Sequence, residues 1–167
     1  MFALTEKEIR ASFVNATRRE VTTATLPDLA ELQWDRLDYL GWRDRKAPLS
    51  AYVIAPLPEG PTGIILRANE QAKVRRRTMC AWCEDVVETG DVTLYVARRG
   101  GAEGRKGNTI GTLICTDFRC SKNVRRLPTS MEAGTKDEDV RRSIMETRRE
   151  GLIERSRGFV AEILRTH

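Results

Sequence analysis

Four cysteines constrain this chain more than any other residues. Cys80 and Cys83 are separated by two residues, 31 residues follow, and Cys115 and Cys120 close the pattern with four residues between them. A C-x2-C pair places two thiolates on one tight turn, within reach of a single ion, and zinc prefers four tetrahedral sulfur or nitrogen ligands. The two pairs together complete one such set. The lone histidine, His167, stands at the extreme end of the sequence and is a poor candidate ligand. The site is therefore read as all-cysteine and closed. With no position open to water, its one Zn2+ is expected to be structural rather than catalytic.

Three other uses of the cysteines compete with this reading. Buried free thiols would have no reason to fall in two close pairs. A redox C-x2-C fits beside a βαβ pattern, which is absent. Two disulfides would need an oxidising compartment. The stretch Met1–Arg10 already carries Glu6, Lys7, Glu8 and Arg10 and has no apolar secretory core. No apolar run approaches the roughly 20 residues that cross a bilayer. A cytoplasmic location, no membrane partner and a monomer are expected.

A chain of 167 residues suits one domain over 1–167 and can bury a core without disulfides. Its 40% apolar and 32% charged residues describe a modest core under a heavily charged surface. The net charge of +5 is unevenly spread. Residues 1–70 hold 9 basic and 10 acidic side chains, residues 71–127 hold 12 and 6, and residues 128–167 hold 8 and 8. The excess thus falls on the segment with the cysteines, which suits an anionic partner, either nucleic acid or an acidic protein face. A solvated basic face is the plainer reading.

Thr5 and Glu8 form a capping box ahead of Ile9, Phe13 and Ala16, which predicts a helix near 5–18 that the β-branched Val21-Thr22-Thr23 should end. Asp28 and Glu31 suggest a short helix around 28–37, with Gly41 interrupting afterwards. The apolar runs Ala51–Ala55 and Thr62–Arg67 read as a hairpin with a Pro-rich connection. Val92, Leu94 and Val96 alternate with Thr93 and Tyr95 as a half-buried strand, partnered by Thr109–Ile114. Between them, Gly100, Gly101, Gly104 and Gly107 with Arg105 and Lys106 predict a mobile basic loop. Ser121 is expected to cap a helix that starts at the second cysteine pair. Thr135 and Glu138 open a long C-terminal helix, about 135–165, with a possible break at Gly151. A knuckle, a hairpin and a helix start that carries the second cysteine pair make the arrangement of a treble-clef zinc finger, here about 73–127. The fold class is α+β, with added β-hairpins, short N-terminal helices and a long C-terminal helix.

The stretch from Cys115 through Asp117, Phe118 and Cys120 to Arg125, preceded by Met79-Cys80-Ala81-Trp82-Cys83, resembles the treble-clef domain of the elongation factor G-binding protein family. That family includes the fusidic-acid-resistance proteins. Leu40-Gly41-Trp42-Arg43-Asp44 and the Ala51–Ala55 strand resemble its short, stand-alone members. The resemblance implies that Cys80, Cys83, Cys115 and Cys120 are the zinc ligands and that the partner is elongation factor G, on or near the ribosome. The resistance proteins carry an N-terminal helical bundle ahead of the zinc domain, whereas only one or two short helices precede the first hairpin here. Resistance itself is therefore not implied.

Candidate partner-facing groups are Lys73, Arg75, Arg76 and Arg77 before the first knuckle, Arg98, Arg99, Arg105 and Lys106 at the Gly-rich loop, and Arg119, Lys122, Arg125 and Arg126 around the second. Folding on zinc should gather them around one module. Arginine forks onto phosphate or carboxylate, so ribosomal RNA and an acidic protein face both fit. Trp82 and Phe118, each inside a cysteine loop, could stack on a base or fill a partner pocket, or else pack over the zinc. Asn123 is expected to cap local backbone. No enzyme is expected. The run Gly100–Gly107 lacks the Lys-Ser/Thr ending of a phosphate-cradling loop, and Glu84 and Asp85 read as solvated charges. The leading expectation is a zinc-stabilised protein that binds elongation factor G and modulates its association with the ribosome. A basic zinc finger that binds RNA or the ribosome is the alternative.

Overall fold

The computed structural model describes residues 1–69, 78–84, 86–87 and 92–165. A five-stranded antiparallel sheet organises it. The strands are β1 (Leu40–Arg43), β2 (Ser50–Leu57), β3 (Gly60–Ala68), β6 (Val92–Arg98) and β7 (Thr109–Cys115), in spatial order β1-β2-β3-β6-β7. A separate pair, β4 (Thr78–Met79) and β5 (Val86–Val87), brackets the first cysteine knuckle.

Strand β2 is buried at every residue from Ser50 to Ala55, because both faces of the sheet are covered. A near-continuous apolar run is what such a strand requires. On one face Ala51, Val53, Ile64, Leu66 and Tyr95 pack under Leu152, Val160 and Ile163 of the long helix α6 (Glu138–Leu164). On the other face Leu40, Trp42, Tyr52, Ile54 and Ile65 pack with Ile9 and Ala24 of the N-terminal segment. Burying one such aliphatic or aromatic side chain contributes about 1.5–3 kcal/mol.

The N-terminal helix predicted over 5–18 stops early, as α1 (Glu6–Ala11), and a second helix, α2 (Arg18–Thr23), starts where the predicted one should have ended. Each opens with a capping box, Thr5 with Glu8 and Thr17 with Glu20. The chain leaves helical geometry after Ser12, where Ser12–Val14 pairs with Gly63 of β3. A Cβ on Gly63 would come within 2.5 Å of Ser12 Oγ, so only glycine admits this approach. One residue later Asn15 extends the pairing with its side chain. Its Oδ1 accepts from Ile65 N–H at 2.8 Å, and its Nδ2 donates to the carbonyls of Ile65 and Arg98 at 3.1 and 2.9 Å. A side-chain amide thus bridges β3 and β6 where the two strands have not yet met. Val21-Thr22-Thr23, expected to stop a helix, lies inside α2.

Other expectations shift in the same way. The helix expected over 28–37 shrinks to one 3₁₀ turn, Trp34–Arg36. Gly41 does not interrupt but lies within β1, where a Cβ would sit 2.6 Å from the Phe118 ring. The proline-rich connection is a tight turn, since Leu57 already pairs with Gly60 and Pro56 with Pro61. In β6 the fully buried residues are Tyr95 and Ala97, while Val92, Leu94 and Val96 are half-buried. The Gly-rich loop contains a short helix, α3 (Gly101–Arg105). After β7 come α4 (Cys120–Val124) and α5 (Ser130–Ala133), the latter with its own Thr129–Glu132 capping box. Helix α6 is capped by Asp137 rather than Thr135 and runs through Gly151 unbroken. Among the described residues no helix is long and apolar enough to cross a membrane.

Candidate metal centre

Three elements deliver the sulfurs. Cys80 and Cys83 sit on the turn after β4, Cys115 ends β7, and Cys120 is the first residue of α4. Both knuckles use a non-glycine residue in the left-handed region, Glu84 at φ 53° and Phe118 at φ 56°. In the first knuckle the N–H groups of Trp82 and Cys83 donate to Cys80 Sγ at 3.4 and 3.5 Å. In the second, Phe118 N–H donates to Cys115 C=O at 3.0 Å and tightens the turn.

All four Sγ atoms lie within 4.8 Å of one another, and all four residues are buried. Cys80 and Cys120 approach to 3.7 Å, as do Cys83 and Cys115. A disulfide would need about 2.0 Å. A zinc ion with bonds of about 2.3 Å to a tetrahedron of sulfurs separates those sulfurs by about 3.8 Å. The donor set therefore fits zinc in number, chemistry and spacing. Among the described residues it is also the one grouping of three or more potential metal ligands. Mutual hydrogen bonding splits the thiols: the neighbours Cys115, Cys120 and Cys83 push Cys80 far down, whereas Cys120 is pushed far up by the same contacts and by burial. A divalent cation is what lets several thiolates share so small a space.

A residue outside the cysteines completes the centre. Asn123 Nδ2 points at Cys115 Sγ at 3.5 Å and at Cys83 Sγ at 3.7 Å, so it caps the metal ligands rather than local backbone. Such outer donors orient ligands and stabilise their charge. Ser121 does not cap α4, whose N-cap position is Arg119. It is buried, and its Oγ accepts from Asp38 N–H at 3.0 Å.

Trp82 and Phe118 are both buried, and Phe118 reaches the surface only as part of a cleft lining. Trp82 is 2% exposed and packs edge-on against Tyr39 at 5.0 Å and against Phe159 of α6 at 5.8 Å. Phe118 is 7% exposed and tilts against Tyr95 at 5.2 Å. Both rings fix the knuckles to the sheet and to α6. Arg155 adds a polar strut. It crosses Gly151, where a Cβ would lie 2.8 Å from its guanidinium, donates to Trp82 C=O at 2.7 Å and pairs with Glu84 at 3.1 Å.

This succession of knuckle, hairpin and helix, with one cysteine pair at each end, decides the matter, and a family model described as FBP C-terminal treble-clef zinc-finger matches residues 8–163. The chain belongs to that family. No curated protein and no solved structure matches it. As a member of the treble-clef zinc-finger family, it holds one structural zinc on the four-sulfur site.

Among the described residues, the candidate basic side chains fall into two groups rather than one. Arg119, Lys122, Arg125 and Arg126 lie on or beside α4. Arg98 and Arg99 lie at the far end of β6, since Val92 pairs with the metal-bearing Cys115 and Arg98 with Thr109. Six residues of strand place them about 20 Å apart. There Arg98 reaches Glu20 at 3.1 Å, and Arg99, only 16% exposed, ties Glu162 of α6 at 2.8 Å. Lys106 pairs with Glu103 at 2.8 Å. Lys73, Arg75, Arg76 and Arg77 lie outside the described residues, as does His167.

Around α4 the chain forms a cleft of about 780 Å3 against residues 33–37. Arg36 and Leu37 line it, and sequence reasoning missed both because no spacing links them to the cysteines. It missed Asp38 for the same reason. That carboxylate is buried, is held by both arms of Arg125, and also receives Arg149 Nε of α6 at 3.1 Å. One acid thus joins the zinc helix to the C-terminal helix.

Proposed function

We propose that this zinc-stabilised protein binds translation elongation factor G and thereby modulates the factor's association with the ribosome, acting as a cytoplasmic monomer without a catalytic step. One observation carries the reading. The helix that the metal centre holds in place, α4, and the residues flanking it present exposed cations to a concave surface, Lys122 on the helix and Arg119 and Arg126 beside it. The likeness of Cys115–Arg125 and Met79–Cys83 to the elongation factor G-binding proteins supports the choice of partner. Binding one arrangement of the factor better than another would shift its residence on the ribosome.

The test is retention of purified elongation factor G by immobilised protein at low salt. Binding at micromolar concentration is expected, and no binding there overturns the proposal. Ribosomal RNA, tested in parallel, would show a steep fall in affinity with salt if it were the true partner.

A further inference from the structure

The cleft beside α4 has an uneven chemistry. Five of its ten lining residues are cationic, Arg36, Arg119, Lys122, Arg125 and Arg126, and none is acidic. Three of the five are engaged within the chain. Arg125 holds the buried Asp38, Arg126 forks onto Glu132 at 2.8 and 2.9 Å, and Arg119 reaches the exposed Asp117 at 3.3 Å. Arg36 and Lys122 are exposed and have no ion pair among the described residues. They come from the two elements that form the cleft, one from the 3₁₀ turn and one from the zinc helix. Between them the cleft is lined by Leu37 and Phe118.

We propose that this cleft is a docking groove for an acidic segment of a protein partner, with one apolar side chain of that segment seated between Arg36 and Lys122. The inference rests on the reading above that the protein works by binding another protein. Two cations without internal partners favour carboxylates arriving from outside, and the exposed Arg119–Asp117 pair is weak enough to be exchanged. Single-stranded RNA fits less well. Its usual device is an aromatic face on which bases stack, and Phe118 is 93% withdrawn, its ring packed on Gly41 and Tyr95. An apolar anchor in a pocket ringed by charge is instead the common anatomy of a protein contact.

The groove depends on the metal through covalent connectivity. Cys120 begins α4, and Lys122 lies two residues along it. Leu37 immediately precedes Asp38, which Arg125 grips from α4. The two walls are therefore tied to one another and to the zinc site before any partner arrives.

The experiment titrates the intact zinc-loaded protein with a fluorescein-labelled, short, aspartate- and glutamate-rich peptide carrying one central phenylalanine. A short oligouridylate serves as the competing probe. Arg36→Glu/Lys122→Glu is compared with Arg18→Glu/Arg19→Glu, an equal charge change on exposed residues of α2 that line no part of the cleft. The peptide should bind the wild type, weaken at least about tenfold in the cleft variant and less than about threefold in the α2 variant. Zinc content confirms folding, and Arg36→Gln/Lys122→Gln replaces the reversal if the first variant loses metal. No peptide binding, equal weakening in both variants, or tighter cleft-dependent binding of the oligouridylate each overturns the groove. Elongation factor G is titrated alongside. If the peptide behaves as expected and the factor does not bind, the groove stands and the named partner falls. If the factor binds both cleft variant and wild type alike, the partner stands and the groove falls.

Discussion

On one face of the sheet Trp42 stacks on Tyr52 at 4.9 Å, Phe13 closes edge-on over both, and Ile9 and Ile54 fill the remainder. On the other face Tyr39, Trp82, Tyr95 and Phe118 surround four buried sulfurs beneath α6. The first face is ordinary apolar packing and needs no partner but itself. The second face carries α4, only five residues long, which is too short to persist without tertiary support. What holds α4 is Cys120 through the metal, Val124 in the core and the Arg125–Asp38 pair. The comparison teaches that one sheet supports two cores with different dependencies, and that the candidate interaction surface was built on the metal-dependent one.

The largest expected effect comes from breaking that dependency. Cys120→Ser removes a ligand, and structural zinc in small fingers contributes on the order of 10 kcal/mol. Metal analysis and near-ultraviolet circular dichroism should show loss of zinc and of the Trp82 environment. The face with Trp42 is the comparison, and a variant that keeps one zinc equivalent would contradict the account. Next, Trp42→Ala should cost about 3–5 kcal/mol in denaturant unfolding yet leave zinc stoichiometry unchanged, because Trp42 belongs to the apolar cluster and not to the one that holds the cysteines. Comparable in size is Asp38→Ala, about 3–5 kcal/mol, since it strands Arg125 and Arg149 beside a buried site. It should loosen α4 and α6 together, which hydrogen exchange of their amides reads directly.

Asp44 gives a smaller, pH-dependent effect on the apolar face. Burial alone would raise its carboxyl, but donors from Thr25, Lys46 and Ala47 N–H and the Tyr52 hydroxyl outweigh burial and hold it below the ordinary carboxylate value. A folded-state pKa below the unfolded one adds stability that is complete above about pH 4 and is lost as pH falls through the folded value. Asp44→Asn should therefore cost about 1–3 kcal/mol at neutral pH, with the gap to wild type narrowing on acidification. Smallest is Asn123→Ala. It should leave the fold intact and lower zinc affinity about 10-fold, measured by chelator competition, because it removes one donor to two thiolates.

How much of this was legible beforehand follows from the range of each signal. The four cysteines announced their site because ligand chemistry restricts both residue type and spacing. The Thr5–Glu8 box and the continuous run of β2 were equally local and equally readable. Gly41 looked like an interruption because its reason, the Phe118 ring, lies 77 residues away. Asn15 fell inside the helix expected over 5–18, since a side chain that stands in for a missing strand leaves no periodic trace. The basic residues of 98–126 looked like one patch because they are close in sequence, but the length of the β6–β7 hairpin separates them. Trp82 and Phe118 could be read either as partner contacts or as packing over the zinc, because position within a cysteine loop suits both; the structure packs both rings inward. Asp38 carried no motif at all. Its role exists only once three distant elements meet.

The most direct measurement is the metal content of protein purified without added zinc, paired with the response of each face to chelation. The account predicts close to one zinc per chain, and on its removal loss of amide protection in α4 and around Trp82 ahead of loss around Trp42 and Tyr52. Well under half an equivalent of zinc in folded protein, or chelation that leaves α4 protected, would contradict it.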